Sequence, residues 1–370
     1  MRTILAVNAG SSSLKLSLFN ANDPALPRIA HQRFENLNEH RGAVHGHILS
    51  WAKEHGGNSE LIGAVHRVVH GGSEFGDPVV VCQDTLRGLE ALIPLAPLHQ
   101  PLCLDPVHAI ARAMPTLAQV VCFDTAFHRG RASAMLRYGL PEVLWKEGIR
   151  RYGFHGLSYD YIVSVLPTLA PDLAPSRIVI AHLGAGASLC AVRDEVCVDT
   201  SMGFSALSGL VMATRCGELD AGAVLHLLRD GSRSVEDVED LLYRRSGLLG
   251  LSGSSADVRD LLVSEDPAAR EAIDCFVLRI VREIGAMVAM LGGLDAIVFT
   301  AGIGEHSSAI RSRIAQASAW AGLAIDEEAN AASATQISTP TSKVSAWVIP
   351  TNEERRMAEY ARDLLVPAAT

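Results

Sequence analysis

No stretch of this chain approaches the ~18 consecutive apolar residues that a bilayer-spanning helix needs, so a membrane-embedded protein is not expected. The amino terminus, Met1 to Val7, meets Asn8 too soon to hold the apolar core of a signal peptide. Positive charge is not in surplus either. Lys and Arg number 32 against 41 Asp and Glu, a net of −9. That balance argues against wholesale binding of nucleic acid or an anionic membrane, and leaves room for a local basic pocket only. Aromatic residues are scarce at 5%, so the core must be aliphatic, as in an ordinary α/β protein. The seven cysteines (82, 103, 122, 190, 197, 216 and 275) contain no C-x-x-C pair. An odd count in a chain of this length points to a reduced, cytoplasmic setting.

Several motifs are missing as well. There is no G-x-x-x-x-G-K-[ST], which excludes a P-loop NTPase. Gly302-x-Gly304 is followed by Ser307 where a dinucleotide fingerprint has its third glycine. His66 and His70 do not sit in H-E-x-x-H. On a strand, residues four apart lie about 13 Å from each other, too far to share one zinc ion.

What is present begins at the amino terminus. An apolar run, Ile4 to Val7, enters Asn8-Ala9-Gly10-Ser11-Ser12-Ser13, and the alternating run Leu14 to Phe19 leaves it. This reads as strand, tight loop, strand. The loop is either an ordinary turn with a surface lysine at Lys15, or a cradle whose N–H and hydroxyl groups suit a phosphate oxygen, with Lys15 as a point charge. The pattern returns at Arg177 to Ala181, His182 to Ser188 and Leu189 to Val192, which suggests an internal duplication. Thr300-Ala301-Gly302-Ile303-Gly304-Glu305-His306-Ser307 follows the strand Ala296 to Phe299 and is expected as a glycine loop at the start of a helix from Ala309 to Trp320. Arg67, a strand residue among apolar neighbours beside Gly71-Gly72, needs a partner or an anionic ligand. Asp124 ends a buried strand, where ligand chemistry often sits, but an Asp there can equally cap a turn. His155, between two glycines, is either a loop histidine or a catalytic one.

The scaffold is legible too. At 370 residues, two domains of ~150 are expected. Helices are expected over Arg41 to His55, Leu86 to Ala96 and Pro106 to Met114, with Pro97 to Pro101 as a break. Ser234 caps Val235 to Arg245, with Gly247 as the stop. Asp266-Pro267 opens a long helix to Leu291 with one apolar stripe, ended by Gly292-Gly293. Glu353 and Glu354 open a last helix as dipole complements, and one of them, facing a cleft, would equally serve Mg²⁺.

Taken together, the motifs resemble the acetate kinase family over essentially the whole chain. The resemblance rests on Asn8 to Lys15, His66 to Gly72, Phe123 to His128, Tyr152 to Gly156, Asp199 to Phe204, Thr300 to Glu305 and Ile349 to Glu354. It implies an α/β fold of two duplicated βββαβαβα lobes, ribonuclease H-like and of the actin-type ATPase superfold, with a central nucleotide cleft. The lobes would be residues 1–150, joined by the C-terminal helix 355–370, and 151–354. It implies reversible phosphoryl transfer from ATP to acetate, with Mg²⁺ or Mn²⁺, by a cytoplasmic homodimer without nucleic-acid or membrane partners. By the same resemblance Asp124, His155 and Arg215 are catalytic, and Arg67, Val69, Leu98 and Phe154 bind the substrate. Lys15, Ser11, Ser13, His182, Leu183, Gly184, Ala185, Gly186, Asp257, Val258, Arg259, Gly302, Ile303, Gly304, Glu305 and His306 bind ATP, and Asn8 and Glu353 hold the metal. The chain departs from the family pattern at Ala185, where the family has Asn. It departs again at His306, and at Ser205-Ala206-Leu207-Ser208, where the family has Thr-Pro-Leu-Glu. The loss of the proline suggests a larger acyl pocket. A propionate- or butyrate-preferring kinase is therefore one alternative, and an actin- or Hsp70-like ATPase is another of a different class.

Overall fold

A computed structural model describes residues 1–10, 13–35, 37–173, 176–229 and 231–366. Ser11 therefore lies outside the described residues. The chain divides into two units. One comprises Met1–Arg129, Gly156–Tyr161 and Asn352–Thr370, the other Gly130–His155 and Ile162–Thr351.

The first unit is built on β1 (Arg2–Ala9), β2 (Ser13–Asn20), β3 (Arg28–Glu35), β4 (Glu60–Val68), β5 (Val79–Val80) and β6 (Ala118–Phe123). Their order in the sheet is β3-β2-β1-β4-β6-β5. Both faces of β1 are covered, which is why its sequence is a near-continuous apolar run rather than an alternation. One face packs on the helix Glu353–Leu365, whose Met357, Ala358 and Ala361 share a core with Ile4 and Ala6. The other carries Leu5 and Val7, packed with Ile48 and Trp51 of the helix Leu37–Gly56.

The second unit contains β7 (Arg177–Leu183), β8 (Ala187–Arg193), β9 (Val196–Thr200), β10 (Ala296–Thr300) and β11 (Ser345–Val348). Read from the antiparallel side, its order is β9-β8-β7-β10-β11. Strands β7, β8 and β9 form an antiparallel meander, while β10 runs parallel to both β7 and β11. In the first unit β1, β2 and β3 are likewise antiparallel, and β4 is parallel to β1 and β6. The two units repeat one sheet plan, so the weak sequence repeat reports a real duplication, of the kind expected for the actin-type superfold. The long helix runs from Pro267 to Leu291 as the periodicity requires. Asp266 caps it, Phe276, Ile280, Ile284 and Met287 are buried, and Gly292 ends it at φ 70°.

Three local expectations are corrected. The helix expected from Pro106 starts at Gln100 and ends at Ala113. Pro101 falls in its first turn, where no N–H is needed, so the proline that seemed to break the segment opens it instead. Gly302 to His306 is not a loop. It is the helix Ala301–His306, entered by a sharp turn at Ala301 (φ 64°) and followed by Ser308–Ala317. Gly247 does more than stop a helix. It opens the next, Gly247–Ser252, at φ 65°, and a side chain there would collide with the carbonyl of Met212.

Candidate active site

In the first unit, the three parallel strands β1, β4 and β6 deliver Asn8, Arg67 and Asp124 at or just past their carboxyl ends. That end is where open α/β sheets gather ligand chemistry. Arg67 meets Asp124 side on. Its Nε donates to Oδ1 at 3.0 Å and Oδ2 at 3.1 Å, and one terminal nitrogen donates to Oδ2 at 2.5 Å. The other terminal nitrogen donates to the carbonyl of Ala9 at 3.1 Å. Burial pushes the Asp124 carboxyl up, and the Arg67 guanidinium pulls it back. Arg67 itself is held further above its ordinary range, because the Asp124 charge outweighs its own burial. For Asp124 burial is the larger effect, so its carboxyl stands above its ordinary range even with the guanidinium donating three bonds. Glu353 is close enough to act electrostatically on both members of the pair.

Asn8 is buried, and its amide nitrogen donates to Glu353 at 2.9 Å and to Glu354 at 2.7 Å. Lys15 stands opposite Asn8 in the β1–β2 ladder, with its ammonium 3.8 Å from Glu354. Sequence reasoning singled out Glu353 alone. The structure places both glutamates on Asn8, because both occupy the first turn of one helix. The carbonyl of Ser13 closes the opening turn on the N–H of Gly10 at 2.8 Å. Val69 is buried, and Leu98 is partly exposed.

The second unit gathers a second group of expected residues. His155 sits at φ 59°, just before the helix Gly156–Leu169. Its ring stacks on His182 with centroids 4.2 Å apart, and its Nδ1 is 2.8 Å from the Ser188 hydroxyl. A Cβ on Gly186 would lie 3.1 Å from His155 Nε2 and 3.2 Å from an Arg215 terminal nitrogen. Two donor-capable nitrogens therefore flank one small space that only glycine leaves open. The other terminal nitrogen of Arg215 donates to the carbonyl of Ala206 at 2.7 Å. The backbone before Arg215 is tied to Ala185, through Ala213 N–H at 3.1 Å.

Strand β7 continues to Leu183 and β8 starts at Ala187, so the expected loop shrinks to Gly184, Ala185 and Gly186. Register places Thr300 beside His182, and a Cβ on Gly184 would lie 3.9 Å from the N–H nitrogen of Gly302. Two of the expected nucleotide segments thus meet at the ends of β7 and β10. Ala185 is exposed, so the missing family amide changes what is offered to solvent rather than the packing. Asp257 caps the helix Val258–Val263 and pairs with Arg259 at 2.6 Å, while Val258 is buried beneath. Ile303 is half-buried and His306 is exposed, 3.9 Å from Glu305. Phe154 is buried.

Sequence reasoning missed the supports. Glu305 accepts from Ala301 N–H at 2.7 Å and Thr351 N–H at 3.1 Å, and so holds the sharp turn. Arg311 is fully buried, and it donates to the carbonyls of Gly304, Glu305 and Asn330, the Asn330 amide oxygen and the Ser333 hydroxyl. Arg131 donates to the carbonyls of Arg151 and Tyr152, at 2.9 and 2.6 Å, just upstream of His155. The Glu305–Ala301 contact is local, four residues apart, but most of the others span residues distant in the chain or use backbone carbonyls, which no local sequence signal announces.

The acetokinase family model matches residues 30–359. The chain belongs to the acetokinase family. It is 46% identical over 385 residues to an acetate kinase of Rhodopseudomonas palustris (strain TIE-1), covering 96% of this chain and 97% of that one. Among solved structures it is similar to the Porphyromonas gingivalis acetate kinase, at 33% identity and a TM-score of 0.86, over 97% of this chain and 98% of that one. It is equally similar to a propionate kinase of Francisella tularensis subsp. tularensis SCHU S4, at 32% identity and a TM-score of 0.87, over 97% and 99%. As in the rest of the acetokinase family, ATP is a substrate. Among the described residues, no helix is long and apolar enough to cross a membrane.

Proposed function

We propose that this chain catalyses the reversible, Mg²⁺-dependent transfer of the ATP γ-phosphoryl group to acetate, giving acetyl phosphate and ADP. The observation that carries the reading is the pair of nitrogens, His155 Nε2 and an Arg215 terminal nitrogen, facing the space beside Gly186. An acetate oxygen attacks phosphorus, a new O–P bond forms, and the bond from phosphorus to the ADP oxygen breaks. The acceptor carboxylate is ionised at neutral pH, since a free carboxyl titrates near ~4. It needs little help from a base. What opposes the reaction is repulsion between the acceptor's charge and the γ-phosphoryl oxygens, so positive groups and positioning carry the catalysis. Arg215 and His155 meet the transferring phosphoryl group, Arg67 meets the acceptor carboxylate, and Val69, Leu98 and Phe154 line its methyl. Lys15, Ser11, Ser13, His182 to Gly186, Asp257 to Arg259 and Gly302 to His306 bind the nucleotide.

Asp124 already accepts three bonds from Arg67, which supports a positioning role over acid–base work. Asn8, Glu353 and Glu354 offer an all-oxygen, acidic donor set that fits Mg²⁺ or Mn²⁺. The metal, when bound, neutralises charge on the β- and γ-phosphate oxygens. A homodimer is supported by the helix Ala221–Arg229, on which Leu225 is exposed and Val224, Leu227 and Leu228 are only half-buried. The buried Cys190 thiol donates a hydrogen bond to Cys197 Sγ at 3.5 Å instead of forming a disulfide with it, which supports a reducing, cytoplasmic setting.

Propionate is the second reading, favoured by Ala206 where the family has proline. One methylene is worth only ~1–3 kcal/mol of discrimination. The test is a short-acid panel with ATP and Mg²⁺, trapping the acyl phosphate as its hydroxamate. Acetate should give the highest kcat/KM; a higher value for propionate moves the assignment. No hydroxamate from any short acid, with ATP still hydrolysed, leaves only the actin-like ATPase reading.

A further inference from the structure

We propose that Asp160 is a positioning residue for the last helix, Glu353–Leu365: by holding Arg356 and Tyr360 it fixes the rotation at which Glu353 and Glu354 both meet Asn8. The inference rests on the reading of Asn8, Glu353 and Glu354 as the metal site. Consecutive residues on a helix point about 100° apart, so two adjacent glutamates converge on one amide only within a narrow range of rotation. Both converge here, at 2.9 and 2.7 Å from the Asn8 nitrogen. The apolar face of the helix does not set that angle. It presents Met357, Ala358 and Ala361 to Ile4 and Ala6, and apolar burial is non-directional.

The directional contacts lie on the stripe that starts at Glu353. Arg356 and Tyr360 follow it at i+3 and i+7, on the same side of the helix. Arg356 grips the Asp160 carboxylate with two nitrogens, Nε to Oδ2 at 2.9 Å and a terminal nitrogen to Oδ1 at 3.1 Å. Such a fork tolerates little rotation. The Tyr360 hydroxyl donates to Oδ2 at 2.6 Å and accepts from Arg356 at 3.1 Å. Burial and the Asp160 charge push the Tyr360 phenol further above its ordinary range, so it stays a donor. Asp160 belongs to a different segment, the helix Gly156–Leu169, whose Leu157 shares the core of Ile4 and Met357. The bonds therefore tie the last helix to the scaffold and not merely to itself.

The test measures metal binding without turnover. Free Mn²⁺ is followed by its EPR signal as full-length protein with ADP is added. Asp160→Asn should bind Mn²⁺ about tenfold more weakly than the unaltered protein. Tyr360→Phe, which removes one bond and keeps the ring, should bind it about threefold more weakly. In both, KM for acetate at saturating Mg²⁺ and ATP should stay within twofold. If Glu354→Gln weakens Mn²⁺ binding but the Asp160 and Tyr360 variants bind it as the unaltered protein does, the inference alone is overturned and the metal site stands. If Glu353→Gln and Glu354→Gln both bind Mn²⁺ undiminished, the metal reading fails and the inference with it. A KM for acetate that rises in step with the lost Mn²⁺ affinity shows a generally loosened fold and also overturns the inference. Should Asp160→Asn fail to fold, Tyr360→Phe decides.

Discussion

Gly186 illustrates how much one missing carbon can decide. Any side chain there fills the space faced by His155 Nε2 and Arg215, at 3.1 and 3.2 Å. Gly186→Ala should cost on the order of 10²-fold in kcat, comparable with losing one donor to a developing charge, and leave Tm within about 2 °C. Full turnover in that variant would remove the paired-donor reading. Arg67 behaves differently because its partner is buried. Arg67→Met leaves the Asp124 carboxylate without its cation and should destabilise the fold by about 3–5 kcal/mol, measured by denaturant unfolding. Adding Asp124→Asn to that variant should recover much of the loss, and strict additivity would contradict the coupling. Asp124→Asn alone separates positioning from acid–base work. Near-normal turnover with an altered Mg²⁺ dependence is expected, and a collapse of kcat with unchanged Mg²⁺ dependence would restore the acid–base role.

At the scale of elements, the turn from β10 into Ala301–His306 carries the strain. Ala301 adopts φ 64°, a region that costs a non-glycine residue roughly 1–2 kcal/mol, and Glu305 holds it there through two N–H groups. Glu305→Ala should release the turn and raise KM for ATP several-fold while KM for acetate stays within twofold. An equal rise in both would place the effect outside the nucleotide segment. Ala301→Gly relieves the strain but adds backbone entropy to the unfolded chain, so its stability should change by less than about 1 kcal/mol. This element was misread from sequence because a Gly-x-Gly run is a poor helix former. A carboxylate four residues on, together with Arg311 beneath, overrides that preference.

For the whole molecule, acid sensitivity follows from two buried histidines. Desolvation pulls His66 down to about 4, partly offset by its bond with Gln119, and burial pulls His70 to about 4 as well. The unfolded chain takes up these protons near ~6.5 while the folded chain does not, so stability is retained above that pH and lost as pH falls towards 4. A drop from 6.5 to about 4 is worth roughly 3 kcal/mol per histidine. Tm should fall on acidification from pH 7 to pH 5, and His66→Gln should flatten the slope. A Tm that is constant across that window would show that these rings charge without cost. The same two histidines invite a zinc reading by type, but β4 ends at Val68 with only His66 on it, and His66 Nε2 is engaged by the Gln119 amide oxygen at 2.8 Å.

The sequence by itself determined the duplicated α/β plan, the strands and their apolar faces, the long capped helix, and the family to which the chain belongs. These depend on local periodicity, on caps, and on motifs contiguous in the chain. It also named the charged residues at the strand ends, because a charge beside an apolar strand and a glycine turn is conspicuous in one dimension. Only the tertiary structure decided which groups face each other. It set both glutamates on Asn8, closed Arg67 on Asp124, put Ser188 under His155, and left the space beside Gly186 for two nitrogens. Those relations join residues tens to hundreds of positions apart. Their energies come from burial and hydrogen-bond satisfaction, which no local pattern of residue types encodes.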